Sequence, residues 1–161
     1  NNYGPNQFPE KLIPKIIFNV INNKPIPIYA KGLNTREWIY VEDHCRALEM
    51  LALNGKIGQN YNIGTNNNLT NLKLTKFIIK SVKKIQRVGR KVKIIYVKDR
   101  PGHDFRYAIN SKKIRKELKW MPLTNLKVGI FKTIKWYLGN MGYFKSIHNK
   151  KNFSRMGKKY D

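Results

Sequence analysis

The sequence predicts an α/β protein. Apolar residues recur with the helical period in some segments and in short extended runs in others, and the two kinds alternate along the chain. Turn and cap residues stand where one kind gives way to the next. At 161 residues and 41% hydrophobic, the chain is long enough for one domain with a packed core and too apolar for a disordered tail. It contains no internal repeat and no low-complexity tract.

After a polar opening, Leu12, Ile13, Ile16, Ile17, Val20 and Ile21 form the stripe of an amphipathic helix. Pro14 is tolerated only in a first turn, so the helix should begin near Ile13 and stop by Asn22-Asn23, before Pro25. Residues 26–30 (IPIYA) and 36–41 (REWIYV) read as strands joined by a KGLN turn. A helix should follow over Glu42–Leu53, with acidic residues in its first turn and Gly55 past its end. Residues 59–64 (QNYNIG) read as a strand closing on glycine, and 71–86 as a helix whose core side holds Leu72, Leu74, Phe77, Ile78, Val82 and Ile85. KIIYV (93–97) is a strand running into DRPGHD. Ser111 is expected to cap a short helix to Leu118, broken by Trp120-Met121-Pro122, and Thr124 to cap a last helix. In that helix Val128, Phe131, Ile134, Trp136 and Leu138 are expected in the core, and 141–161 forms a basic, loosely held tail.

Lys+Arg is 33 against 9 Asp+Glu, a net charge of +24, which invites a polyanion partner. Lysine supplies 25 of those cations and is spread along the chain beside abundant Asn and Ile. That pattern fits A/T-rich codon drift better than a clustered arginine surface, so nucleic acid is not the expected partner. Cys45 is the single cysteine; it excludes an internal disulfide, suggests a cytoplasmic setting, and is expected as a small buried helix residue. No apolar run is long enough to span a membrane. The opening NNYGPN carries neither a signal-peptide pattern nor a methionine and reads as the middle of a longer sequence.

Histidines at 44, 103 and 148 with one cysteine give no metal-ligand spacing. There is no P-loop, no G-x-S-x-G elbow, no glycine-rich dinucleotide turn and no Tyr-x-x-x-Lys pair. What remains suits a phosphorylated, hydroxyl-rich ligand. Arg36 and Arg100 stand at strand junctions, where a guanidinium could grip paired phosphate oxygens or make a surface ion pair. Pro101-Gly102 would fix the turn beside Arg100, and His103 could meet a ligand or bond Asp104. Asn1, Asn2 and Asn71 could bond sugar or base edges.

The segments NNYGP, FPEKLIP, KPIPIYAKG, REWIYVEDHCRAL, YNIG, DRPGHDFRYAI and KTIKWYL together resemble the C-terminal half of the dTDP-glucose 4,6-dehydratases. These are NAD-dependent lyases of the extended short-chain dehydrogenase/reductase superfamily. The resemblance covers roughly residues 1–140 and implies a substrate-binding lobe. Within it, 41–64 would complete a Rossmann-type NAD-binding sheet whose N-terminal part precedes NNYGP. It implies conversion of dTDP-glucose to dTDP-4-keto-6-deoxyglucose in nucleotide-sugar metabolism toward rhamnose. A tightly held NAD takes hydride from C4 and returns it to C6 after water is lost across C5 and C6.

Carried over residue by residue, the resemblance implies that Asn1 contacts the sugar nucleotide and Asn2 lies near NAD. Lys11, Leu12, Pro27, Ile28 and Tyr29 would line the nucleotide pocket, and Asn71 would lie against the nucleotide. Arg36 would hold the diphosphate, and Asp99, Arg100, Pro101, Gly102 and His103 would close over it. The family uses a tyrosine in its tail where Asn152 or Phe153 stands here. The glycine-rich loop, the Tyr-Lys pair and the Asp-Glu dehydration pair precede NNYGP in the family, so no catalytic residue is expected among these 161. The resemblance thus implies a homodimeric enzyme's binding portion, completed in cis or by a partner chain. Leu48, Leu51 and Ile63 would then face the Rossmann half. A UDP-sugar epimerase or decarboxylase, or a non-catalytic binding module, remains an alternative.

Overall fold

The computed structural model describes residues 1–89 and 92–148. The strands are short and fall into three two-stranded sheets. Asn2–Tyr3 (β1) pairs in parallel with Ile39–Tyr40 (β4), and Ile26–Tyr29 (β2) in parallel with Ile94–Val97 (β6). Thr35–Glu37 (β3) runs antiparallel to Asn68–Thr70 (β5). Helices alternate with them: Leu12–Ile21 (α1), Val41–Asn54 (α2), Asn71–Ile85 (α3), Lys112–Leu118 (α4), Leu126–Gly139 (α5) and Met141–His148 (α6). The α/β class read from the periodicity is the class observed.

The main core lies among α1, α3 and α5 and the inner faces of β2 and β4. Ile13, Ile16, Ile17 and Val20 of α1 meet Leu74, Ile78 and Val82 of α3 and Ile130, Ile134 and Tyr137 of α5, all buried. In each helix these positions are three or four apart, the spacing that puts them on one face. A smaller cluster joins Ile39, Ala47, Ile114 and Trp120, tying α2 to α4.

Several local expectations are corrected. REWIYV is not one strand: at Trp38 the chain leaves the β3–β5 sheet and enters the β1–β4 sheet. Residues 59–64 pair with no strand among the described residues, and the Gly64 carbonyl accepts from Ser111 Oγ at 3.1 Å and Arg115 Nη2 at 3.2 Å. That same bond takes Ser111 away from capping α4. Asn125, not Thr124, caps α5, its side chain accepting the Val128 N–H at 3.0 Å. The face of α5 turned inward is Gly129, Ile130, Thr133, Ile134 and Tyr137, so Val128 is exposed and Phe131, Trp136 and Leu138 are half-buried. Cys45 is exposed, since α2 packs through Asp43 and Ala47. Leu48 is also exposed, while Leu51 and Ile63 pack half-buried on the smaller cluster. Residues 141–148 are helical; 149–161, with Asn152 and Phe153, lie outside the described residues. No helix among the described residues is long and apolar enough to cross a membrane.

Gly129 is where α5 meets β1. A Cβ there would fall within 2.9 Å of the Tyr3 ring, and that ring is buried against Tyr40 at a 5.7 Å centroid distance. Gly129→Ala should therefore lower stability. Overpacking costs roughly 1–3 kcal/mol, more than the gain of about 1 kcal/mol from alanine's helix propensity. Urea unfolding of the two proteins decides it; a higher midpoint for the alanine variant would show that the ring moves aside.

Candidate functional site

A cleft of about 430 Å3 opens where the parallel strands β2 and β6 end, at Tyr29 and Val97. Carboxyl ends of parallel strands, with helix N-termini beside them, are where α/β folds gather ligands. Here the start of α1 brings Glu10, Lys11, Leu12 and Lys15, and the start of α3 brings Asn71. Strand β2 contributes Pro27, Ile28 and Tyr29; the first loop contributes Asn1, Asn2 and Gln7. Arg36, Trp38, Val97, Arg100 and His103 complete the wall.

The charge of this cleft is lopsided. Lys11, Lys15, Arg36 and Arg100 stand against one carboxylate, Glu10, which lies 3.4 Å from Lys11 Nζ. Lys11 is the N-cap of α1, and neither α1 nor α3 has an acidic residue in its first turn. Cations at a helix N-terminus add to the positive end of the helix dipole rather than cancel it, which favours an anion in the cleft.

The DRPGHD loop is held by two sets of bonds. Asp99 Oδ1 lies 2.6 Å from His103 Nδ1 and accepts the Arg100 N–H at 2.9 Å. The hydrogen bond to His103, then that to the Arg100 backbone, keeps the Asp99 carboxyl below its usual range. The imidazole stands edge-on to Tyr29, with centroids 5.8 Å apart. Gly102 turns the chain at φ 65°, a left-handed conformation suited to glycine.

Further along, Arg36 donates from Nη2 to the Asp104 carbonyl at 2.7 Å and from Nη1 to the Thr35 carbonyl at 2.8 Å. Its guanidinium lies 4.7 Å from the Tyr107 ring centroid, and Tyr107 OH donates to Asp104 Oδ2 at 2.5 Å. That bond holds the Asp104 carboxyl below its ordinary range and pushes the Tyr107 phenol up. Residues 105–107 lie along β3, with Thr35 N–H donating to Phe105 O at 2.8 Å and Tyr107 N–H to Thr35 O at 3.1 Å. Buried Glu37 accepts the N–H groups of Asn66 and Ile109, fixing both ends of the adjoining segments.

Eleven of the fourteen residues singled out as ligand contacts line this one cleft: Asn1, Asn2, Lys11, Leu12, Pro27, Ile28, Tyr29, Arg36, Asn71, Arg100 and His103. Asp99 stands behind His103 as its anchor, and Pro101 and Gly102 form the exposed turn. Arg36 spends two of its five N–H donors on backbone carbonyls, so it is first a clamp on the loop. Sequence reasoning passed over Gln7, Glu10, Lys15 and Val97. Lys15 was within reach, one helical turn after Lys11 on the same face.

The architecture is that of the Rossmann-type short-chain dehydrogenase/reductase enzymes, as comparison with solved structures shows. The chain belongs to the GDP-mannose 4,6 dehydratase family, which it matches over residues 1–133. It is 48% identical over 149 residues to the dTDP-glucose 4,6-dehydratase of Salmonella typhimurium, a match covering 91% of this chain and 41% of that protein. A dTDP-glucose 4,6-dehydratase from Bacillus anthracis, crystallised with NAD, superposes with a TM-score of 0.83 at 41% identity, over 91% of this chain and 45% of that one. The Streptomyces venezuelae enzyme, also solved with NAD, gives 0.85 at 37% identity, over 91% and 44%. The chain thus spans less than half the length of each of these relatives.

NAD is the family's cofactor, and the described residues fit only its margin. Asn2 lies at the cleft edge, but no glycine-rich turn joins a strand to a helix to cradle a pyrophosphate. No cluster among the described residues could hold a metal ion.

Two outcomes test the loop geometry. Arg36→Met should cost roughly 1–3 kcal/mol, since it leaves two inward carbonyls without their donor, and should speed amide exchange at Tyr107. Unchanged exchange there would show that Arg36 does not hold the loop. Because the Asp99 pKa is lowered on folding, its contribution is complete above the ordinary value near ~3.9 and is lost as pH falls through the lower folded value. Stability should therefore fall with pH across that acid range more steeply in the wild type than in Asp99→Asn; identical pH slopes in urea unfolding would dissociate the pair.

Proposed function

We propose that this chain forms the sugar-nucleotide-binding portion of an NAD-dependent dTDP-glucose 4,6-dehydratase. Its substrate is dTDP-glucose and the product of the whole enzyme is dTDP-4-keto-6-deoxyglucose. The observation that carries the reading is the convergence of family-pattern residues from six separate segments on one cation-lined cleft. Arg100, Lys11 and Lys15 supply charge for the diphosphate, with the α1 N-terminus behind them. Arg36 holds the loop and turns its remaining donors to the same anion. Pro27, Ile28 and Tyr29 form the flat wall against the nucleotide, and Asn1 and Asn71 meet its polar edges. His103, oriented by Asp99, closes the phosphate end. Asn2 lies toward NAD.

The chemistry itself needs a glycine-rich dinucleotide turn, a Tyr-Lys pair and an Asp-Glu pair, none of which occurs in this sequence. The 161 residues alone therefore bind without turnover, and the remainder of a Rossmann domain, in cis or as a partner chain, completes a cytoplasmic homodimeric enzyme. In that assembly residues 41–64 complete the Rossmann-type sheet.

Calorimetric titration with dTDP-glucose should show binding that Arg100→Ala weakens by about tenfold, the worth of a charge-assisted phosphate contact. Incubation with dTDP-glucose and NAD should yield no 4-keto product. Absence of binding would sink the reading of the cleft, and measurable turnover would sink the requirement for the additional catalytic pairs.

A further inference from the structure

Among the described residues three buried side-chain atoms have no hydrogen-bond partner: Gln7 Oε1, Trp38 Nε1 and Asn71 Oδ1, all on residues of the cleft wall. A buried polar atom without a partner is costly to fold, so it points to a group that arrives later. Asn71 was already singled out as a ligand contact, and Trp38 also borders a second, smaller cavity. Gln7 is different, because its amide is locked.

Gln7 Nε2 donates to the Asn2 carbonyl at 2.8 Å, and the Gln7 backbone carbonyl accepts from Tyr137 OH. The neighbouring Asn6 carbonyl accepts from Tyr143 OH at 2.8 Å, so α5 and α6 pin the loop on both sides. Rotating the amide would set two carbonyl oxygens against each other, which assigns the oxygen to the inward position. Oε1 can only accept. A phosphate oxygen would be repelled there, whereas a hydroxyl or an N–H would complete it.

We propose that Gln7 is a specificity-determining residue of this cleft, its Oε1 accepting a hydrogen bond from an O–H or N–H of the ligand. The proposal rests on the sugar-nucleotide reading given above and divides the labour of the site. The cations take the diphosphate, and Gln7 reads a donor at a fixed point on the sugar or the base. A ligand lacking that donor leaves the buried carbonyl unpaired, the arrangement that discriminates most sharply between near-identical molecules.

The test is calorimetric titration of the wild type and Gln7→Met, which keeps the side-chain length and removes the carbonyl. The ligands are dTDP-glucose, dTDP, 3′-deoxy-dTDP and N3-methyl-dTDP. The methionine variant should bind dTDP-glucose about tenfold more weakly. That penalty should vanish for 3′-deoxy-dTDP alone if the donor is the deoxyribose hydroxyl, for N3-methyl-dTDP alone if it is the base N–H, and for dTDP and both of its analogues, but not for dTDP-glucose, if it is a glucose hydroxyl. An equal penalty on every ligand would overturn the proposal, leaving Gln7 a support for Asn2 alone, and so would no penalty on any. Failure of the wild type to bind dTDP-glucose would instead remove the sugar-nucleotide reading, and this inference with it. Should the methionine variant not fold, Gln7→Asn, which withdraws the same carbonyl by one methylene, serves in its place with the same outcomes.

Discussion

The bond from the Arg36 guanidinium to the Asp104 carbonyl is the constraint on which the cleft depends. It joins residues 68 positions apart and sits behind an almost closed surface, with Arg36 only 6% exposed. A lysine could not replace it: two carbonyls and the face of Tyr107 are met at once by a planar fork, and an ammonium has no plane. With that clamp in place, residues 105–107 lie along β3 and the loop before them has one place to go, over the ends of β2 and β6. The positions of Arg100 and His103 follow from it.

The second constraint is the parallel β2–β6 pair. Its register sets Ile26 to Tyr29 beside Ile94 to Val97, residue for residue. Because the two strands end together, the turn after β2 and the loop after β6 leave from the same edge. The helices α1 and α3 enter the cleft by their N-termini, and so the cations on the loop and the positive helix ends face one another across a single space. That concentration of unbalanced charge would be hard to maintain in the core. It is tolerable at an open edge, where water and a ligand anion screen it.

Much of this was legible in the sequence, and the failures have physical causes. The helix stripes of α1 and α3 were clear because isoleucine and leucine recur at three and four over whole turns. The cleft residues were legible through family pattern, which brought together segments that no local rule would join. One cap was misread because its side chain had a better long-range partner: Ser111 serves Gly64, 47 residues away, and a cap rule sees only its own helix. The strand expected over 59–64 failed for the same reason, since a ladder is a property of two segments and only one was in view. REWIYV was taken as one strand because β-prone residues run on from Trp38 to Val41, although its two halves pair with different neighbours. Gln7 escaped notice altogether. Its meaning lies in an oxygen left without a donor, and an unmade bond leaves no trace in a sequence.

The tyrosines of α5 and α6 that hold the carbonyls of Gln7 and Asn6 reach back 130 and 137 residues. The entropic cost of closing a loop of that length falls once the intervening elements have docked. The first wall of the cleft is thus completed by the last helices of the described chain. A nascent chain whose synthesis had reached only residue 100 would hold helices and strands in plenty, yet no finished binding surface. Ligand affinity in this protein is in that sense a measure of global folding rather than of any local motif.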